Sequence, residues 1–435
     1  MSGPTLPRLG MGTAGLGNLY EPVSDDVARG TLEAAWAADI RYFDTAPHYG
    51  FGLAERRLGQ ALEELDRDGQ AIVSTKVGRL LEPTNSLVRE RHGFVDADPY
   101  EPVFDYSGDA VLRSHAESLR RLRRDRVDVL LAHDIGELTH GAYNERHMRA
   151  FLDGGYRAMR DLKEAGAVGA IGIGVNEIEV CLYLLERVEL DVILLAGRYT
   201  LLDRRAGDEL LPLCQERGVG VIVGGPYNSG ILAQPTARQR DPHYDYDAPS
   251  TAILTRAATI ERLCARHGVA LGTAALQFPL RHPAVISVIP GLVGEVQVRE
   301  AVERVEADIP EALWPELAGI AGDGEASPAG TRARLEPKLM LLDDSDDVFV
   351  CIAPITAGDR LAIDGTVFRA AEDIGVGHKV ARRAIWPGAK IRKYGLPIGS
   401  ATTTIAAGEW VHAHNMRSDY IPSHSRETVA QGQAR

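Results

Sequence analysis

Residues 127–133 read Val-Asp-Val-Leu-Leu-Ala-His, and residues 191–196 read Asp-Val-Ile-Leu-Leu-Ala. Both are apolar at nearly every position instead of at alternate ones, as expected of parallel strands covered on both faces. Working outward, further β-rich runs occur at Leu9–Gly15, Ile40–Thr45, Ala71–Val77, Val168–Gly174, Gly220–Gly224 and Ala284–Pro290. Between them lie stretches with apolar residues at helical spacing, among them Asp25–Ala38, Leu53–Leu65, Asp109–Arg124 and Thr251–His267. Ser24 is placed to cap the first helix, with Asp25 and Asp26 in its first turn where the helix dipole favours anions. Eight such units in roughly 300 residues predict an α/β fold of the (β/α)8 TIM-barrel type rather than an open doubly wound sheet. The glycine-rich run Gly10–Tyr20 opens no immediate helix, so it does not read as a G-x-G-x-x-G dinucleotide turn.

The chain has 435 residues, 45% of them hydrophobic and 25% charged, which suits a globular protein of one large and one small domain. No apolar run approaches the roughly 18 residues of a membrane span. The start, MSGPTLPRLG, lacks a secretion pattern, so a cytoplasmic location is expected. Cys181, Cys214, Cys264 and Cys351 are scattered without a C-x-x-C pair, which argues against a zinc ribbon or disulfide frame. A formal net charge of −13 argues against nucleic acid as a partner. The basic cluster Arg120, Arg121, Arg123 and Arg124 ends a predicted helix and is expected to complement its dipole.

Composition divides the chain into a barrel over 1–320, a Gly/Ala/Ser/Pro-rich linker over 321–342, a small β-rich domain over 343–422 and a disordered tail over 423–435. The small domain shows short β-like runs at Val348–Ala353, Thr366–Ala370, Lys390–Tyr394 and Glu409–His414. No internal repeat of fixed period is evident beyond the βα alternation.

In a barrel of this type, catalytic groups sit where strands end. Asp44 and Tyr49 follow the second strand in Arg41-Tyr-Phe-Asp-Thr-Ala-Pro-His-Tyr-Gly50, Lys76 ends the third and His133 the fourth. A phenol ionises near pH 10, too high to accept an alcohol proton unaided. An adjacent ammonium favours phenolate, a carboxylate holds that ammonium in place, and an imidazole can orient the reacting oxygen. General acid–base help of this kind is worth about 10²–10⁴-fold.

The blocks FDTAPHYG, STKVGR, LLAHD, GIGVNE and VIPG, in this order, resemble the signatures of the aldo-keto reductase family over about residues 5–320. LAGRYTLLDR and GIGVNEIEVC are most similar to its sugar-oxidising branch, the aldose, L-fucose and D-threo-aldose 1-dehydrogenases. The resemblance implies hydride chemistry on a nicotinamide cofactor, with Asp44, Tyr49, Lys76 and His133 as the catalytic tetrad and Tyr49 as the acid–base. It implies cofactor contacts at Asn176, at Tyr199 stacking under the nicotinamide, at Gly225, Pro226, Tyr227 and Gly230, and at Pro290, Gly291, Gln297 and Glu300. The family's glutamine after the sixth strand is replaced by Ala196 and Gly197. The basic residue that NADPH-using members place after Pro-Gly is Val293 here, with Glu295 nearby. NAD is therefore expected over NADP, although Arg299 offers partial compensation. No metal is expected in the barrel.

The substrate implied is an aldose such as L-fucose, D-arabinose or a galactose-like sugar, held by Tyr49, His133, His48 and Phe104. The loop Gly78–Gly108 is long and reads as irregular, the mark of a lid or binding loop. Its Phe94, Tyr100, Phe104 and Tyr106, with Arg89, Arg91 and His92, either suit a pyranose ring or anchor the loop. The alternatives to sugar oxidation are an NADPH-dependent aldehyde or pyridoxal-type reductase, and a non-catalytic barrel acting as scaffold. Beyond the linker, GVGHKVARRAI and IRKYGLPIGSATTTIAAGEWVHAHNM resemble the SAF-type (β-clip) domain of altronate and galactarate dehydratases. That resemblance implies a hydro-lyase small subunit with His378, Lys379, His412, His414 and Asn415 as candidate residues and a large dehydratase subunit as partner. His412 and His414 on a strand would share a face, but as metal ligands they lack a third partner nearby.

Overall fold

The computed structural model describes residues 4–236, 242–245, 248–320, 338–343, 345–363 and 366–418, which fall into two compact units, Met1–Glu325 and Ala326–Arg435. In the first unit the barrel strands are β1 (Met11–Gly12), β2 (Tyr42–Asp44), β3 (Ile72–Val77), β4 (Val127–His133), β5 (Val168–Val175), β6 (Val192–Ala196), β7 (Gly220–Gly224) and β8 (Val285–Ile289). They pair in parallel and in chain order, and isolated parallel bridges Leu9–Val288 and Gly12–Gly291 join the last strand to the first. The even apolarity of β4 has a direct cause: Val129 and Leu131 join an inner cluster with Tyr42, Ala170, Leu194 and Ile222, while Leu130 and Ala132 join the cluster under the helices. Successive side chains point to opposite faces, so both faces of each strand are covered.

The helices α1 (Asp25–Ala37), α2 (Leu53–Leu65) and α3 (Gly108–Leu122) pack outside. Ser24 caps α1, its hydroxyl accepting from Val27 N at 3.3 Å. The basic cluster closing α3 does more than face a dipole. Arg121 donates to Glu55 at 2.6 Å, Arg123 pairs with Glu63 and Arg124 with Asp66, so the cluster ties α3 to α2.

The 78–108 segment is not irregular. It forms two antiparallel hairpins, Arg79–Pro83 with Tyr100–Phe104 and Glu90–Arg91 with Phe94–Val95. Its aromatic residues serve mainly as anchors: Phe94 is buried with Phe51 and Leu81, and Tyr106 is fully buried. Arg89 pairs with Asp96, Arg91 with Glu101, and His92 meets Glu101 at 2.5 Å, so these polar groups are engaged within the segment.

The second unit is β-rich, with a four-stranded sheet, a three-stranded sheet and a separate hairpin. Leu339–Met340 pairs with Val350 and Cys351, so the described end of the expected linker belongs to this unit's sheet. The rest of that linker, and the expected tail over 423–435, lie outside the described residues. The expected strand Glu409–His414 stops at Val411, and His412 to Asn415 form a turn. An internal duplication, with Ile355 and Ile374 recurring 30 and 31 residues later at Ile385 and Ile405, organises the unit. Ile-x-x-Gly turns recur at Ile355, Ile374, Ile385 and Ile405, with Gly358, Gly377, Gly388 and Gly408 at φ of +88°, +84°, +82° and +83°. Only glycine adopts that backbone without strain. The turns bridge in pairs, Ile355 with Ile374 and Ile385 with Ile405. All four cysteines are free and buried.

Candidate active site

Residues β2 and β3 contribute at alternate positions converge inside the barrel. Ser74 and Lys76, two apart on β3, share a face: Ser74 Oγ donates to Asp44 Oδ1 at 2.6 Å and Lys76 Nζ to Asp44 Oδ2 at 2.7 Å. Because the Ser74 proton is committed to Asp44, the 3.0 Å contact with Tyr42 is a donation from the phenol to Ser74 Oγ. Lys76 also donates to Thr45 O at 2.8 Å, and both Lys76 and Asp44 are almost fully buried. Between them, Thr75 points outward and donates to the buried Glu55.

The Lys76 ammonium lies 4.7 Å from the centroid of the Tyr49 ring, and the Tyr49 and His133 rings are 5.9 Å apart at 85°. Phe94 flanks Tyr49 at 6.4 Å. The structure thus brings Asp44, Tyr49, Lys76 and His133 into one cluster, and His48 joins it with its ring 6.0 Å from His133. Burial, then the charges of Arg79 and Lys76, hold the His133 pKa well below the usual imidazole range. Burial, then Arg79, His92 and Lys76, do the same for His48. Both rings are neutral at physiological pH, so His133 can donate an N–H without carrying charge.

Residues with no expected catalytic role hold this set together. Tyr106 donates its hydroxyl to His133 O at 2.6 Å, so its 3.0 Å contact with His140 is a donation from His140 Nε2. Tyr42 carries no motif signal, Ser74 opens the block Ser74-Thr-Lys-Val-Gly-Arg79 without a role implied for it, and Tyr106 takes the anchoring alternative. The spacing in Ser74-Thr-Lys76 was the one usable clue, since residues two apart on a strand share a face. Phe104, expected to touch substrate, packs edge-on against His140 at 4.6 Å with the Arg79 guanidinium over its ring.

The expected cofactor residues divide. A Cβ built at Gly230 or Gly291 would meet nothing within 4 Å, and one at Gly225 would meet only Gly197 N at 3.9 Å. Backbone after β7 and β8 therefore borders open space, and Asn228 Oδ1 is buried there without a partner. Pro226 and Tyr227 continue the same turn after Gly225. These features fit a dinucleotide. Asn176 is fixed through its carbonyl by Arg198 Nε at 2.6 Å, and Arg198, buried against Asp245 at 2.8 Å, follows the positions where the family glutamine is missing. The other expected cofactor residues have contacts within the chain. The Tyr199 ring contacts Phe278 at 5.1 Å and His282 at 6.1 Å, against the helical layer. Gln297 Oε1 folds back to accept from Val293 N at 3.0 Å, and Glu300 pairs with Arg304 at 2.7 Å, which also donates to Tyr227 OH at 3.2 Å. Pro290 O accepts from Gly12 N at 2.9 Å.

In the second unit the His378, Trp410 and His412 rings cluster, with centroids 5.1–5.3 Å apart, and His414 lies 5.4 Å from Trp410. Trp410 Nε1 donates to His378 Nδ1 at 3.3 Å. Lys379 is half-buried, its pKa lowered by burial and then by Lys393. Asn415 is buried, its Nδ2 donating to Trp410 O at 2.8 Å and its Oδ1 accepting from His412 N at 3.0 Å. No group of three or more His, Cys, Asp or Glu among the described residues could hold a metal ion, and none of their helices is long and apolar enough to cross a membrane.

Asp44, Tyr49, Lys76 and His133 thus cluster at the ends of neighbouring strands of a parallel barrel. The chain belongs to the aldo/keto reductase family, whose model matches residues 8–321. Residues 337–419 match the altronate/galactarate dehydratase SAF domain. The chain is 42% identical over 330 residues to pyridoxal 4-dehydrogenase of Microbacterium luteolum, spanning 73% of this chain and 94% of that one. It is 39% identical over 322 residues to D-threo-aldose 1-dehydrogenase of a Pseudomonas species, with the same two coverages. Its C-terminal part is 43% identical over 74 residues to altronate dehydratase of Escherichia coli K12, covering 17% of this chain and 15% of that protein. The family's fold binds a nicotinamide cofactor.

Proposed function

We propose that the barrel oxidises the cyclic hemiacetal of an aldose at C1 to the aldonolactone, with L-fucose, D-arabinose or a galactose-like sugar as substrate and NAD as cofactor. When bound, the nicotinamide supplies the hydride acceptor. The Tyr49 oxygen takes the anomeric hydroxyl proton. Lys76 favours the phenolate by its charge, and Asp44 with Ser74 keeps the ammonium in register. Neutral His133 orients the reacting oxygen by donating an N–H.

One observation carries the sugar reading. Thr45 Oγ1, His48 Nδ1, Arg79 Nε and His133 Nδ1, on residues around Tyr49, are all buried without a hydrogen-bond partner. Buried polar groups are normally satisfied, so unpartnered polar atoms gathered here suit a substrate rich in hydroxyls better than an apolar aldehyde. The preference for NAD rests on Val293, which gives a 2′-phosphate no partner, and on Glu295 opening the next helix. Arg299 lies 3.9 Å from Glu303, which opposes its charge. The test is a panel of aldoses with NAD⁺ and NADP⁺, following NADH or NADPH formation. Oxidation of a sugar with higher kcat/KM for NAD⁺ supports the reading, and activity confined to NADP⁺ refutes the cofactor assignment.

A second reading, oxidation of a pyridoxal-type aldehyde, is favoured by the 42% identity to pyridoxal 4-dehydrogenase. Pyridoxal in the same panel separates the two. For the second unit we propose a tethered sugar-acid dehydratase small-subunit role, with His378, Lys379, His412 and His414 as its site and a large dehydratase subunit as partner. Hydrolysis of an aldonolactone gives the aldonic acid that such a dehydratase consumes. Tethering would raise the local concentration between steps. Failure of a co-expressed large subunit to co-purify would count against this role.

A further inference from the structure

Arg79 opens the first hairpin of the 78–108 segment, in register with Phe104. Its side chain is only 11% exposed, its guanidinium lies 4.7 Å over the Phe104 ring, and it pairs with Asp134. Asp134 follows His133 directly, sits in the left-handed region at φ +50°, and places its carboxylate 3.5 Å from His133 Nε2. One end of the guanidinium is thus held by the carboxylate and its face by an aromatic ring. Its Nε–H is buried without a partner. A lysine could serve Asp134, but it has no second nitrogen to leave spare.

We propose that Arg79 is the specificity-determining residue of the oxidoreductase site, its spare Nε–H donating to a hydroxyl oxygen of a neutral polyhydroxylated substrate. This rests on the aldose reading above. Asp134 fixes the guanidinium and engages it as an ion pair, which leaves it better suited to a neutral hydroxyl than to a carboxylate or phosphate that would compete with Asp134. The guanidinium also ranks next after burial in keeping His48 and His133 neutral, which places it electrostatically close to both rings. A site built to hydrogen-bond a substrate hydroxyl discriminates strongly against the analogue that lacks it.

The experiment compares wild type with Arg79→Lys on the best aldose and on its monodeoxy analogues. Lysine keeps the charge opposite Asp134 and removes the spare donor. The expected result is a loss of about 10–100-fold in kcat/KM for the aldose, mainly through KM. For one monodeoxy sugar the two enzymes should agree within about threefold, because the hydroxyl that Arg79 binds is already absent. Equal loss on the aldose and on every monodeoxy sugar, or no loss on any, overturns the proposal. If R79K melts far below wild type, Arg79→Met combined with Asp134→Asn, which removes both charges together, is read in the same way. If wild type oxidises no aldose, the sugar reading fails by itself. The comparison then uses pyridoxal and a hydroxyl-free aromatic aldehyde, and equal losses on both again overturn the role of Arg79.

Discussion

Lys76 Nζ lies 2.7 Å from Asp44 Oδ2 with both side chains almost sealed from solvent, and the same ammonium stands 4.7 Å from the centre of the Tyr49 ring. A buried ion pair is weak evidence for stability in itself, but removing one partner leaves an uncompensated charge, at a cost of about 3–5 kcal/mol. Asp44→Asn should therefore lower the denaturation free energy by that order and cut kcat at least about 10²-fold. A variant with unchanged stability would show that the pair is solvated in solution.

Ser74 holds the other oxygen of Asp44 and receives the Tyr42 hydroxyl. Ser74→Ala should cost about 1–3 kcal/mol through the orphaned buried phenol and lower kcat several-fold by loosening Asp44. Chemical denaturation with steady-state kinetics checks both. Loss of stability without loss of kcat would confine Ser74 to the fold.

Val293→Arg should raise kcat/KM with NADP⁺ relative to NAD⁺ by about tenfold or more, since a guanidinium pairs with phosphate in bidentate fashion. A cofactor ratio that does not move would place the 2′-position elsewhere.

The buried histidines set a pH dependence of stability. His48 and His133 are held well below 6.5, and His140 is pushed down to about 3 by burial, then by His147 and Arg79. Between those values and the ordinary imidazole range the unfolded chain binds more protons, so this stability is complete above about pH 6.5 and lost as pH falls below it. Glu177, raised to about 7 by burial, acts in the opposite sense, because its folded form holds a proton that the unfolded form has released. The urea midpoint should therefore fall on acidification below about pH 6.5, and more steeply in Glu177→Gln. A midpoint that rises on acidification would contradict the buried neutral imidazoles.

The barrel was legible because its strands are buried on both faces. Val127–His133 and Gly220–Gly224 stand at their expected bounds, as does the helix Leu53–Leu65. The hairpins of 78–108 were not legible, since their short strands mix charged and apolar residues without clean alternation. The four tetrad positions stood out as strand-end residues of complementary chemistry. The contacts of their supports did not, because Ser74, Tyr106 and Arg79 act on residues 27 to 55 positions away, which no local pattern encodes. The duplicated turns of the second unit escaped because only an isoleucine and a glycine mark each one, and the pair recurs just once, at offsets of 30 (355, 385) and 31 (374, 405).

The most direct test of the account is NADH formation by Tyr49→Phe on the best aldose, with NAD⁺ binding measured alongside. The account predicts kcat reduced by about 10²–10⁴-fold with NAD⁺ affinity unchanged. Turnover within about tenfold of wild type would contradict it, because the proton would then leave by a route that does not involve this phenol.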